Sequence, residues 1–226
     1  MLHVSRLKAE AAALYESLLL MRAFAEQQQE QIRDYSENLE KYIKEEETET
    51  IITGLENKDE IVELPVRHIA GAFEHDLDLR ATFTVVMPIY QNQAMLITLW
   101  SKFESGTCLV ARSLGAKKKK KLRRKESGVS TVAHYLNEID RLGFKHRDQR
   151  TYRADYEFLS SIVGRVRNAW VHDGGRCKNK SVSEIVRKDS DLLVRNEVIK
   201  INNNFLFRVI ESMRSISEEI YLLSGR

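Results

Sequence analysis

A single apolar seam runs along the first forty residues and constrains the fold of this chain more than any other feature. Apolar side chains recur at steps of four and three from Leu7 to Ala25, and the series resumes at Ile32. This is the spacing of one face of an α-helix. The sequence therefore predicts a long N-terminal helix that ends near Lys44, within residues 1–47. A helix this long must bury its seam against other helices of the chain or against a second chain.

Few residues that break helices interrupt the rest of the chain. Its 226 residues include two prolines and ten glycines, and 42% of them are apolar. This composition favours long helices over a fold with many turns. We therefore predict a single domain, residues 1–226, that is an all-α bundle of about five to six helices with at most a minor β element. Residues 48–66 are predicted to be irregular around a short strand at 61–64, and residues 66–80 to form a short helix.

The C-terminal third is predicted in more detail. A helix within residues 129–144 ends just before Gly143, and a short helix begins after residue 180. The sequence "EVIKI" favours a strand or an extended link. Asn202 to Asn204 offer a cap for a final helix that runs from about Asn204 to Leu223.

Membrane and metal sites are not expected from the sequence. No segment approaches the roughly 18 apolar residues that cross a bilayer, and the N-terminal apolar run is interrupted by Glu10 and Glu16, so we interpret it as an amphipathic helix and not as a signal peptide. His68 and His75 stand seven residues apart, about 10 Å along a helix, which is too far for one metal ion. We expect no metal, no cofactor and no membrane partner.

The two cysteines, Cys108 and Cys177, form no CxxC pair and no disulfide framework. A reducing cytoplasm is the simplest compartment for such a chain, although the sequence leaves one disulfide open.

The segment "SIVGRVRNAWVHDGGR", residues 161–176, combines an apolar helix face with polar residues that a core does not need. Within a predicted helix at residues 155–173, the apolar side chains share one face, and they are Leu159, Ile162, Val163, Val166, Ala169 and Trp170. The opposite face carries a polar stripe of Ser161, Arg165, Asn168 and His172. Gly174 and Gly175 supply the left-handed cap that ends a helix, so His172 is predicted at its exposed end.

A strongly basic run lies in a predicted loop at residues 114–128. Eight of the nine residues from Lys117 to Lys125 are basic, whereas the net charge of the chain is only +3. The run, which we call the basic run, therefore concentrates positive charge at one place. It is typical of a solvated loop or a nuclear localisation signal, and it also suits the phosphates of a nucleic acid.

Arg167, Asn168 and His172 stand in the order Arg, Asn, three residues, His. This order resembles the mark of the HEPN superfamily, an Arg followed by a polar residue, three variable residues and His. The spacing alone is weak, since Arg141 and His146 repeat it, but that copy lacks the Asn and Gly143 breaks its helix. The resemblance is sharp over residues 155–176 and implies a HEPN-like helical bundle.

The resemblance also implies an activity. Many HEPN proteins are metal-independent RNases that act as dimers with a composite cleft, often as toxins or in anti-phage defence. We therefore expect RNA as the substrate, a homodimer, and an antitoxin or a defence-system partner protein. RNA supplies its own nucleophile, the 2′-OH, so the protein needs a group that transfers protons and a cation beside the phosphate.

The residues of the motif fill these roles. His172 is the predicted general acid or base, Arg167 stabilises charge in the transition state, and Asn168 orients the ring or the phosphate. The predicted RNA-binding residues are Arg165, Lys117, Lys118, Lys119, Lys120, Lys121, Arg123, Arg124 and Lys125. The alternatives are a catalytically inactive HEPN-type RNA-binding or partner-binding module, and an unrelated helical protein in which His172 only terminates a helix.

Overall fold

The computed structural model describes residues 5–53, 59–144, 149–178 and 180–225. The chain divides into two compact units, of which one comprises Met1–Glu26 with Asn92–Arg226 and the other comprises Gln27–Gln91. Most of the described residues are helical, and a long helix stands at the N-terminus. The prediction of a mostly α-helical chain is therefore confirmed.

Eight helices are found in the described ranges. They are α1 (Arg6–Asn38), α2 (Leu79–Ala81), α3 (Met87–Lys117), α4 (Thr131–Arg141), α5 (Gln149–Glu157), α6 (Gly164–Asp173), α7 (Lys180–Lys188) and α8 (Asn203–Ser224). Two π-helical segments join α2 to α3 and α5 to α6 without a break, at Thr82–Val86 and Phe158–Val163. The described residues thus contain six continuous helical rods, in agreement with the predicted five to six.

The first half of the N-terminal seam is buried inside the larger unit. Leu7, Leu14 and Leu18 are at most 3% exposed. Leu14 lies so close to α3 that a β-carbon added at Gly106 would stand 2.5 Å from its Cδ1 atom. Of the two alternatives for this seam, the structure shows the core of its own chain, so these residues are not available to a second chain.

The helix α8 follows a small antiparallel hairpin of β4 (Leu192–Arg195) and β5 (Val198–Ile201). The side chain of Asn202 caps α8 by accepting a hydrogen bond from the backbone N–H of Phe205 at 2.9 Å, as N-terminal caps do. The predicted strand, cap and final helix are confirmed. Phe205, Leu206, Val209 and Ile210 on α8 are fully buried in the main core.

The smaller unit contains a three-stranded antiparallel sheet of β1 (Lys44–Thr53), β2 (Asp59–Ile69) and β3 (Ala72–Phe73), in the order β1-β2-β3. A separate small core includes Leu39 and Phe83, which are 4% and 6% exposed.

This sheet contradicts three of the sequence-based predictions. The N-terminal α-helix ends at Asn38, a short 3-10 turn follows at Leu39–Lys41, and β1 begins at Lys44, where the helix was predicted to end. Residues 48–66 are not irregular around a short strand, since most of them belong to the β1–β2 hairpin, and residues 66–80 are mostly the end of β2, a turn and β3 instead of a helix. Part of the charge on these strands is compensated across the hairpin, since Arg67 on β2 lies opposite Glu45 on β1 and pairs with it at 3.9 Å. Arg67 also pairs with Glu40 at 2.8 Å and with Glu74 at 3.3 Å, which lie outside both strands.

Smaller differences concern the loop after α3 and the cysteines. The helix α3 continues to Lys117, so the loop begins at residue 118 and not at residue 114. Cys108 and Cys177 are both free thiols. Across the described ranges, no helix combines the length and the apolar character that crossing a bilayer requires.

Candidate active site

The helix that carries the motif is held in place by its apolar face. Leu159, Val163 and Val166 are fully buried and Ala169 is 6% exposed, as their spacing predicts. The predicted helix over residues 155–173 is present, but residues 158–163 form a π-helical turn within it. Such turns often occur next to functional sites. The burial of this face leaves the opposite face of α6 open to solvent.

The Gly-Gly pair at the end of α6 has two separate functions. Gly174 adopts φ +60° and ends the helix in the predicted left-handed cap. Gly175 adopts φ +78°, and its N–H donates to the carbonyl of Ala169 at 2.9 Å. A β-carbon at Gly175 would stand 2.4 Å from the indole ring of Trp170. The second glycine is therefore required because Trp170 packs against its α-carbon.

After this turn the chain runs back along the β4–β5 hairpin. Arg176 forms an isolated antiparallel bridge with Val198. The N–H of Ile199 donates to the carbonyl of Gly175 at 2.9 Å. These bonds fix the backbone after α6 beside its last turn, and they place residues 176–178 next to the polar stripe.

The polar stripe and the returning chain together line a cavity of about 250 Å³. We call it the motif cavity, and its lining residues are Arg165, Asn168, Ala169, His172, Asp173, Arg176, Lys178 and Val182. His172 is exposed to solvent. Of the residues predicted from the sequence, Arg165, Asn168 and His172 are brought together in this cavity.

The motif cavity has an excess of positive charge. Three of its lining residues are cations, Arg165, Arg176 and Lys178, and all three are exposed. Asp173 is the one carboxylate in the lining, and its Oδ1 atom forms an ion pair with Lys178 Nζ at 2.7 Å. Two cations of the lining therefore stay unneutralised by this carboxylate. Such a cavity suits an anion such as a phosphate group.

Arg167 does not belong to the lining of the motif cavity. Its side chain is half-buried, and its Nη1 donates to the Oδ1 atom of Asn168 at 3.0 Å. Its Nε atom is buried and has no hydrogen-bond partner within the part of the chain that the structure describes. The Oδ1 atom of Asn168, which was expected to orient the imidazole or a phosphate, thus accepts a bond from Arg167.

Sequence reasoning missed Asp173, Arg176 and Lys178. The signal was present, since the Gly-Gly pair that ends α6 also permits the reversal that brings residue 176 back to the helix end. What the sequence did not reveal is the pairing of this segment with β5, because that contact joins residues about 20 positions apart.

The basic run lies at a different place. The residues from Lys117 to Lys125 are exposed apart from Leu122. Lys117 and Lys118 line a cavity together with Leu223, at the C-terminal end of α8. The motif cavity adjoins β5, which leads into the N-terminal end of α8. The start of the basic run and the motif cavity therefore lie toward opposite ends of α8, whose 22 residues span about 33 Å. No residue of the basic run lines the motif cavity.

Two other chemistries, a metal site and a cysteine nucleophile, find little support near the motif. In the described ranges no group of three or more histidine, cysteine or acidic residues is arranged to hold a metal ion. Burial raises the pKa of the Cys177 thiol, so it is poorly suited to act as a nucleophile at neutral pH. His146, the end of the second Arg–His spacing, lies outside the described residues.

Comparison with known proteins adds no relative. The chain matches no family model, and neither a curated protein nor a solved structure is significantly similar to it. Its function must therefore be argued from the motif, the cavity beside it and the chemistry of their residues.

Proposed function

We propose that this chain is a metal-independent RNA endonuclease of the HEPN type, with His172 at its reactive centre. The observation that supports this proposal most is the position of His172, which is exposed and lines a concave site together with Arg165, Asn168 and Arg176. A histidine that only terminated a helix would need neither a cavity nor the cations around it.

The reaction that fits this site is attack of a ribose 2′-OH on the adjacent phosphorus. The new 2′-O–P bond forms, the bond from phosphorus to the 5′-oxygen breaks, and the products carry a 2′,3′-cyclic phosphate and a 5′-hydroxyl. One group must accept the proton of the 2′-OH and another must donate a proton to the leaving oxygen. His172 is suited to one of these transfers, and Arg165 and Arg176 are suited to the charge that develops on the phosphoryl oxygens.

The second proton transfer supports a dimer. Among the residues that line the motif cavity, His172 is the single histidine. A second copy of the chain would supply the second imidazole, so we propose a homodimer with one composite site. In this proposal the protein acts in the cytoplasm as a toxin or as an effector of anti-phage defence, restrained by an antitoxin or a defence-system partner protein.

One observation favours a second candidate function. Arg167 is half-buried, stands beside the motif cavity, and is bonded to Asn168. A guanidinium held in this way stabilises the surface of α6 and does not reach a phosphate in the cavity without changing its rotamer. The alternative is therefore a catalytically inactive HEPN-type module that binds RNA or a partner protein through the same surface.

Cleavage of RNA by the purified full chain in the presence of a chelator decides between the two functions. We expect cleavage with a 2′,3′-cyclic phosphate on the product and a loss of about 10²- to 10⁴-fold in rate for His172→Ala, the range that general acid–base catalysis contributes. The matched control is His75→Ala, because His75 is an exposed histidine in the smaller unit. Circular dichroism verifies that both variants keep their helices.

The contrary results are equally clear. A product with a 3′-hydroxyl, cleavage that requires a divalent metal, or a His172→Ala variant as active as its parent would exclude the proposed mechanism. Binding of RNA with no cleavage by the parent chain would favour the inactive module.

A further inference from the structure

The basic run presents its charges without compensation. Its eight cations are all exposed, and none of them forms an ion pair with a carboxylate within the described ranges. Their like charges repel one another, and a flexible loop would relieve this repulsion by spreading. A fixed loop must instead be held by contacts elsewhere.

Such contacts exist on α4, which the loop crosses. Glu138 is 3% exposed, and its Oε2 atom accepts a hydrogen bond from the backbone N–H of Arg123 at 2.9 Å. Arg141 donates to the backbone carbonyl of Lys121 at 3.2 Å and pairs with the same carboxylate at 2.6 Å. One ion pair, of which the carboxylate is buried, thus holds the loop on both sides of Leu122, which packs against the main core.

The start of the loop is also held in place, by backbone contacts with the end of α3. The N–H of Lys120 donates to the carbonyl of Gly115 at 2.8 Å. A β-carbon on Gly115 would stand 2.8 Å from the carbonyl oxygen of Lys120. The backbone of the loop therefore packs against the end of α3, so the exposed cations are held at defined positions.

We propose that the basic run is a preformed docking site for the backbone of single-stranded RNA, separate from the motif cavity. Its role in cleavage depends on the proposed function, but its binding of RNA does not. The backbone chemistry fits, because densely placed lysines and arginines neutralise successive phosphates without reading bases.

The distance between the two sites gives the proposal a specific consequence. The length of α8, 22 residues, corresponds to about 33 Å. A strand stacked as in a duplex, with one phosphate about every 3.4 Å of axis, needs on the order of ten nucleotides to span that length. The docking site therefore increases the affinity for long RNAs and contributes nothing to the cleavage of very short ones.

The binding experiment uses the full chain with the substitution His172→Ala, so that RNA is not cut during the measurement. The test variant adds four substitutions in the basic run, which are Lys118→Gln, Lys119→Gln, Lys120→Gln and Lys121→Gln. The matched control adds four at exposed cations elsewhere, which are Lys41→Gln, Lys102→Gln, Arg153→Gln and Lys188→Gln. Both variants lose four positive charges, so their net charge falls from +3 to −1.

Affinity for a 20-nucleotide single-stranded RNA is measured by fluorescence anisotropy over a series of salt concentrations. We expect the test variant to lose at least tenfold in affinity at low salt. The slope of the logarithm of the association constant against the logarithm of salt concentration should become about 3 less steep. Each phosphate that a single strand has neutralised contributes about 0.7 to this slope, and four cations are lost. The control variant should change little. Equal losses in the two variants would show that only net charge matters and would overturn the proposal.

Cleavage by the chain with His172 intact is then compared for a 20-nucleotide and a 5-nucleotide RNA. In the test variant KM for the longer RNA should rise about tenfold with kcat unchanged, and the shorter RNA should be cut at the parental rate. A fall in kcat on both RNAs would place the basic run in the reactive centre and overturn the proposal of a separate site.

Two further outcomes separate the possibilities. If no RNA is cut but the test variant alone loses RNA affinity, the docking site stands and the proposed nuclease activity fails. Vesicles that contain phosphatidylserine serve as a second polyanion. If the chain binds them at least as tightly as RNA, and through the same lysines, the RNA assignment is overturned in favour of an anionic membrane surface.

Discussion

The motif cavity and the basic run are both cationic and exposed, but they are built in different ways. The cavity collects side chains from α6, from the segment after it and from α7, whereas the basic run is one continuous stretch of chain. The cavity contains a carboxylate, Asp173, and an imidazole, His172. The basic run, Lys117–Lys125, contains neither, and its eight cations are all lysines and arginines.

This difference separates two uses of positive charge. A site that transfers protons needs a group that titrates and a small number of cations at fixed positions around it. A site that only holds a polyanion needs many charges close together, and their individual geometry matters less. The first arrangement is favoured at the end of α6 and the second after α3, so substitutions at the two sites should have separable effects.

The largest expected effect tests how the cavity is shaped. Gly175→Ala should lower the free energy of unfolding by about 3 kcal/mol, because an alanine at φ +78° is strained by about 1 kcal/mol and its β-carbon overlaps Trp170, which adds about 2 kcal/mol. Urea unfolding, followed by the helical circular dichroism signal, measures this loss of stability. Affinity of the basic run for RNA should not change under native conditions.

Gly174→Ala is the matched control for this prediction. Gly174 also has a positive φ, +60°, but a β-carbon there would have no neighbour within 4 Å. Gly174→Ala should therefore lower the free energy of unfolding by the backbone strain alone, about 1 kcal/mol. Equal costs at Gly174 and Gly175 would mean that Trp170 does not pack against the turn as described.

The sequence was most informative where a short local pattern decides the structure. The apolar face of α6, the left-handed cap at Gly174 and the Asn202 cap of α8 each depend on a few adjacent residues. They were predicted correctly because the same physical rule applies in any helical protein. The polar stripe followed from the same helical geometry, so Arg165, Asn168 and His172 could be placed together in advance.

What the sequence did not reveal depends on contacts between distant residues. The β1–β2 hairpin brings Arg67 of β2 opposite Glu45 of β1, a charge pair that forms only once the two strands are paired. Arg176 reaches the motif cavity because its backbone bridges to Val198. The separation of the basic run from the motif depends on the direction and length of α8. The sequence grouped Arg165 with the basic run as RNA-binding residues, but it carries no information on the distance between them.

The second prediction concerns the carboxylate under the basic run. The hydrogen bond from Arg141, with a further one from the N–H of Arg123, lowers the pKa of Glu138 to about 2. A carboxyl with a depressed pKa stabilises the folded state above its ordinary pKa, and this contribution disappears as the pH falls through the folded value. Glu138→Gln should therefore cost about 2 kcal/mol at pH 6.

The cost of Glu138→Gln should shrink between pH 4.5 and about pH 2, because the parent loses its advantage as Glu138 becomes protonated. Urea unfolding at pH 6, 4 and 3 measures this dependence. At neutral pH the variant should also bind RNA more weakly while it cuts a 5-nucleotide RNA normally. A stability difference that is independent of pH would contradict the role given to the carboxylate, and slower cutting of the short RNA would remove the distinction between the two sites.

The smallest expected effect is the most direct test of the motif cavity, because it concerns a residue outside the Arg167, Asn168 and His172 motif. Arg176→Gln should lower kcat/KM on a short RNA by about tenfold, or about 1.4 kcal/mol of transition-state stabilisation, since it removes one of three exposed cations around His172. Arg195→Gln is the matched control, because Arg195 is an exposed arginine on β4 that does not line the cavity.

Arg176→Lys should recover part of the loss, since it restores the charge but not the planar contact of a guanidinium with two phosphate oxygens. If Arg176→Gln cleaves as fast as Arg195→Gln, the phosphate does not occupy this cavity, and the reactive centre must lie on the Arg167 side of α6.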